Sequence, residues 1–153
     1  IKMSGYYDIV TKLYESVNND SLVNQTTKGD LSAVLTNKQN MFPLCHIMVN
    51  NSTFDKQVLI FNISIICMDL VDFSKDETVT LYTGNNNEDD VMNTTLSILN
   101  RVYESMYRGS LFSDLYQIEN VANCEPFFDK FDQNVAGWTM TFDVITENGM
   151  SIC

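Results

Sequence analysis

The residues able to do chemistry are few and scattered. His46 is the only histidine. It stands in the apolar stretch Leu44–Val49, with no Ser or Cys placed as its nucleophile. That setting predicts a hydrogen-bonded structural imidazole and not a general base. Four cysteines stand at positions 45, 67, 124 and 153. None forms a C-x-x-C pair, and none has a nearby His at metal-ligand spacing. Cys45 and Cys67 lie in apolar runs, where a thiol acts as a small hydrophobe, so free, buried or terminal thiols are expected. Glu88-Asp89-Asp90 could attract a cation, but carboxylates opening a helix are explained by the helix dipole. Asp69 and Asp72 flank the end of a strand-like run and lack a third ligand for calcium. The glycines form no phosphate-cradling loop. Triplets at Asn24, Asn51, Asn62 and Asn93 match the glycosylation pattern. A chain rich in Asn and Thr makes such triplets by chance, and no secretory signal accompanies them. These residues nominate no catalytic, cofactor-binding or metal site, and no cofactor is expected.

Composition narrows the partners. The chain has 153 residues, 44% hydrophobic and 19% charged, which suits one globular domain with a core. Twenty acidic residues against nine basic ones give a formal net charge of −11. Gripping a phosphate backbone needs a positive stripe, and no Lys/Arg cluster exists. An acidic surface still suits a protein past which DNA must move without sticking. No apolar run is long enough to span a bilayer, so no membrane partner is expected.

The elements are organised around Gln57–Val71, a run of strand formers with no Pro or Gly. Leu59, Phe61, Ile63, Ile65 and Cys67 occupy one parity. Val58, Ile60, Ile66 and Met68 occupy the other, interrupted by Asn62 and Ser64. A run apolar on both parities is expected to be covered on both faces, or by helices on one and a neighbouring subunit on the other. Before it, Tyr6–Asn18 is predicted helical, capped by Ser4, with Ile9, Val10, Leu13 and Val17 on one stripe. Leu22–Leu35 is weakly patterned around a Lys28-Gly29-Asp30 turn, readable as two short strands or an arm. Leu44–Val49 is predicted as a strand joined to the long one by a turn at Asn50-Asn51-Ser52. Residues 72–87 form a long polar loop, expected to protrude. Its Phe73, Val79, Leu81, Tyr82 and Asn85 are expected at an inter-subunit interface, because apolar side chains are unusual on a free solvated loop.

Glu88–Tyr107 is predicted as the second helix, with Val91, Leu96, Leu99, Val102, Tyr103 and Met106 on its apolar face and Gly109 ending it. Ser110–Glu119 reads equally as a short helix or a packed loop. Val121–Phe131 and Ala136–Ile145 form a predicted hairpin around an Asp132-Gln133-Asn134 turn. The second of these strands alternates cleanly through Ala136, Trp138, Met140, Phe142 and Val144. The expected fold is a single α+β domain over residues 1–153, a mostly antiparallel sheet flanked by two main helices, with a short tail at 147–153. Its expected core includes Phe61, Ile63, Leu96, Leu99, Trp138 and Phe142.

Four pieces in this order carry a resemblance. They are Phe42-Pro43-Leu44-Cys45-His46-Ile47, then Phe61–Leu70 ending in Met68-Asp69-Leu70-Val71. The others are Asp89-Asp90-Val91-Met92-Asn93-Thr94 opening a Leu-rich helix, and Phe131-Asp132 followed by Gly137-Trp138-Thr139-Met140-Thr141-Phe142. Together they resemble the tail-terminator and head–tail connector ring proteins of tailed bacteriophages, most of all small virion proteins of crAss-like phages. The likeness covers most of residues 5–146. It implies a tail-terminator-like sandwich and a non-enzymatic structural virion protein, made in the host cytoplasm and built into the phage neck or tail. It implies a homo-oligomeric ring, hexamer or dodecamer, stacked on portal, connector or tail rings, with DNA passing through without specific binding. A soluble α/β binding module or adaptor without catalytic activity is the alternative reading of the same residues, and an enzyme with an illegible site is a third. A closed ring or a virion band separates the first from a clean monomer.

Overall fold

Thirteen residues, mostly apolar and rich in Val and Ile, hold the centre of the sheet as β3 (Val58–Leu70). A computed structural model of the chain describes residues 6–30, 41–70, 88–108, 117–118, 121–130 and 135–147. Ser4, the turn at 132–134, the tail beyond Glu147, and the expected interface residues Phe73, Val79, Leu81, Tyr82 and Asn85 lie outside the described residues. In chain order the remaining elements are α1 (Tyr6–Asn18), β1 (Gln25–Lys28), β2 (Leu44–Asp55), α2 (Glu88–Arg108), β4 (Gln117–Ile118), β5 (Asn123–Lys130) and β6 (Val135–Glu147).

The six strands make one sheet in the order β1-β2-β3-β6, with β4 and β5 both pairing along the far edge of β6. Every pairing is antiparallel except β1 with β2, which is parallel. The fold is therefore α+β with a mostly antiparallel sheet, as the patterning predicts. β3 and β6 pair along their whole lengths, Val58 opposite Glu147 and Leu70 opposite Val135. That ladder runs about 40 Å at roughly 3.3 Å per residue.

The two described helices, α1 and α2, lie on one face of the sheet. α1 buries Ile9, Val10, Leu13 and Val17, the expected stripe. These meet Leu59, Phe61, Ile63, Ile65 and Cys67 of β3, Met140, Phe142 and Val144 of β6, and Ile98, Leu99, Val102 and Met106 of α2. Trp138 is half-buried against this core and donates its indole N–H to the Met92 carbonyl at 3.0 Å, tying the first turns of α2 to β6. Arg101 of α2 holds Asp20, just past α1, through two hydrogen bonds of 2.6 and 3.0 Å. A second cluster, Leu44, Ile66, Met68, Phe127 and Val135, is buried on the opposite face at one end of the sheet. So β3 is buried on both parities only from Ile63 to Met68.

Two expectations need correction, and two open readings are narrowed. The β2–β3 turn is not at Asn50–Ser52: β2 runs on to Asp55, and the loop is Lys56-Gln57, with Lys56 at φ 37°. The polar residues mark a bulge between Val49 and Asn51, where one extra residue bends a strand without ending it. Leu96 is not core but 38% exposed, whereas Thr95 and Ile98 are fully buried. A step of one residue turns a helix by ~100°, and the stripe runs through 91, 95, 98, 99, 102 and 106, which carries Leu96 off it. The segment left open between helix and loop contributes the two-residue strand β4. Of the two readings of Leu22–Leu35, the described part takes the short strand: β1, parallel to β2 at the sheet edge and latched to its start. Asn24 N–H and Nδ2 donate to the Pro43 and Phe42 carbonyls at 2.9 and 2.7 Å.

Candidate functional site

His46 sits on the sheet face away from the helices and is fully buried. Its Nε2 lies 2.8 Å from the Gly29 carbonyl oxygen, and Nδ1 lies 2.7 Å from Thr27 Oγ1. A carbonyl only accepts, so Nε2 carries the proton and Nδ1 accepts from the Thr27 hydroxyl. Gly29 reaches this position at φ +100°, a conformation other residues adopt only under strain. Burial pushes the imidazole below its ordinary range, against the Gly29 carbonyl and the charge of Asp30, which pull it up. With both nitrogens engaged, the ring ties β1 and its turn to β2 and has no free nitrogen for a reaction.

Cys45 and Cys67 face each other across β2 and β3, with Sγ atoms 2.9 Å apart, as buried free thiols. Burial first, then the Cys45 contact, pushes the Cys67 thiol well up, which suppresses the nucleophilic thiolate. This pairing depends on strand register and leaves no trace in the spacing of the two residues. Glu88, Asp89 and Asp90 open α2 as the dipole argument expects. Among the described residues no group of three or more His, Cys, Asp and Glu is placed to hold a metal. No helix among them is long and apolar enough to cross a membrane.

Two surfaces remain. The first is the middle of the sheet face opposite α1 and α2, on which no described helix lies. There β2, β3 and β6 align a polar ladder. Asn50 Nδ2 donates to Asn62 Oδ1 at 2.9 Å and to Ser64 Oγ at 2.7 Å. Asn62 Nδ2 donates to Asp143 Oδ1 at 2.7 Å, and Ser64 and Thr141 hydroxyls lie 3.0 Å apart. The strand register puts Glu125 on the same face, opposite Thr139. Among the described side chains, that face carries no Lys or Arg. Lys28 lies over the Tyr14 ring on the helix side, Arg101 binds Asp20, and Lys56 is in the hairpin turn. Asn62 and Ser64 are visible in sequence only as interruptions of an apolar run. Their partners lie 81 and 77 residues away.

The second surface is a cleft of about 440 Å³ between α2 and the start of β5. Met140 and Cys124 line it from the sheet, Leu96 and Tyr103 from the helix, and Val121 and Ala122 from the segment entering β5, with Ser97 and Asn100 as its polar members. Here the misassigned Leu96 finds its place. Burial raises the Cys124 thiol above its ordinary value.

No protein-family model matches the chain, and no curated protein matches it significantly.

Proposed function

We propose that this protein is a structural ring subunit of a tailed-phage virion, part of the portal-to-tail connector or tail barrel, lining a channel through which DNA leaves. The observation that carries the reading is the sheet face opposite α1 and α2, on which no described helix lies. It presents a neutral to acidic ladder of Asn50, Asn62, Ser64, Thr141 and Asp143, with Glu125 beside it and no described basic side chain. Repeated around a ring, such a face lines a lumen with fixed amides, hydroxyls and carboxylates. The side chains hold one another and leave few donors for phosphate. A narrow low-dielectric channel focuses the negative potential, so the DNA backbone slides and does not dock. The helices on the other face become the outer wall. The formal charge of −11 agrees with this arrangement.

The test is the mass of the purified protein in solution, by sedimentation and native mass spectrometry, together with imaging of the assembled particle. A closed ring with β3 and β6 facing the lumen is expected. A monomer under every condition, with no band in virions, returns the protein to a soluble binding module. A ring whose lumen is lined by Lys and Arg overturns the sliding channel.

A further inference from the structure

The two lateral edges of the sheet are unlike. On one, β1 pairs with β2 only from Leu44 to Ile47. Beyond that the last six residues of β2, 50–55, are all exposed, and among the described residues no strand covers their outer edge. Such an edge offers unpaired N–H and C=O groups to another chain. On it stands Phe54, 76% exposed. Phe54 pairs with Leu59 in register, so it projects on the helix side of the sheet. On the opposite edge, also on the helix side, lies the 440 Å³ cleft lined by Leu96, Tyr103, Ala122, Cys124 and Met140. One chain thus carries an apolar knob on one edge and an apolar hole on the other, in the same layer.

We infer that Phe54 of one copy seats in the α2–β5 cleft of the next copy, so that subunits join head to tail. This rests on the ring reading above and adds the contact that builds the ring. An interface between two different patches of the same chain propagates and yields a ring where the rotation closes. An aromatic side chain buries roughly 150–250 Å² and anchors such contacts. The geometry also fixes a tilt. Phe54 is level with Leu59 and Thr146, while the cleft is level with Met140 and Cys124. Along the strand that is a stagger of roughly 20 Å at ~3.3 Å per residue. Neighbours related by rotation alone meet only if the strands cross the ring axis steeply, at about the 35–45° of barrel strands.

The experiment reads assembly and cross-linking together. Phe54→Asp is expected to shift the particle to monomer with an unchanged circular-dichroism spectrum, since Phe54 is 76% exposed. Ala122→Trp, which fills the cleft, is expected to do the same. In a Cys153→Ser background, Phe54→Cys is expected to form a disulfide with Cys124 of the next copy under copper–phenanthroline and oxygen. Two thiols then lose two protons and two electrons to oxygen, giving a ladder of covalent oligomers that vanishes on adding Cys124→Ser. If wild-type rings persist while both disruptive variants assemble normally and no ladder forms, this interface is wrong and the ring reading survives. If the wild type is a monomer throughout, both fall.

Discussion

Each ring nitrogen of His46 already has a partner, and this makes its titration a stability term. Its value in the fold lies below the ordinary one, so the unfolded chain takes up a proton first as pH falls. The stability it supports is complete above about pH 6.5 and is lost as pH falls from there through the folded value. Urea unfolding from pH 7.5 to 5 should show this decline, and His46→Gln should flatten it while lowering stability at pH 7.5. A slope unchanged in the variant would place the titration elsewhere. Asp20 acts in a lower window. Burial raises its carboxyl, but the Arg101 hydrogen bonds, the Leu22 N–H and the Arg101 charge outweigh this and hold it below the ordinary value. Its contribution is present above about pH 4 and lost as pH falls through its folded value. Gly137 is the other residue with no substitute. A Cβ there would overlap the Cys67 carbonyl oxygen of the neighbouring strand, and backbone cannot move aside cheaply. Gly137→Ala is expected to cost at least about 1–3 kcal/mol in chemical denaturation.

At the scale of the element, α2 decides which apolar residues are structural. Leu99 is fully buried and Leu96 is 38% exposed, three residues apart on one helix. Leu99→Ala should cost about 2–5 kcal/mol, the range for emptying a packed site. Leu96→Ala should cost less than about 1.5 kcal/mol and leave the urea-unfolding slope unchanged. Comparable losses at both positions would mean that the cleft is closed in solution. The helix was legible from its period, but the exact stripe was not. Leu96 and Leu99 fit the same apolar count, and the arc the sheet covers selects between them. Thr95 entered the core because its hydroxyl bonds back to the Val91 carbonyl at 2.8 Å, which removes the cost of burying it. The hairpin shows the same limit. Asn50-Asn51-Ser52 has turn chemistry, yet cross-strand hydrogen bonds from Asn50 to Asn62 and Ser64 make it worth keeping in the strand as a bulge.

For the whole molecule the expectation concerns DNA. The described basic side chains lie off the face opposite α1 and α2, so the protein should not retard duplex DNA in a gel at moderate salt. Asp143→Lys reverses the sign of a ladder position in every subunit. The assembled variant should then bind DNA in a salt-sensitive way, the steepness of the salt dependence reporting how many phosphates are contacted. Retardation by the wild type, or none by the assembled variant, would place the face opposite α1 and α2 away from DNA.

The sequence by itself determined the α+β class, both helices, the long central strand and its alternating partner. Each of these rests on a local period, 3.6 or 2, that burial on one face imposes directly on the residue order. It also showed that Lys and Arg are few and not clustered along the chain. Tertiary structure alone decided the parallel placement of β1, the Cys45–Cys67 contact, the two hydrogen bonds of His46 and the Asn50–Asn62–Asp143 ladder. These depend on register between strands far apart in the chain, and register is set by the joint fit of all the strands to one core. The cleft beside Leu96 has the same origin. It exists because α2 crosses the sheet short of the edge that β5 occupies, a matter of how layers pack and not of any residue pattern.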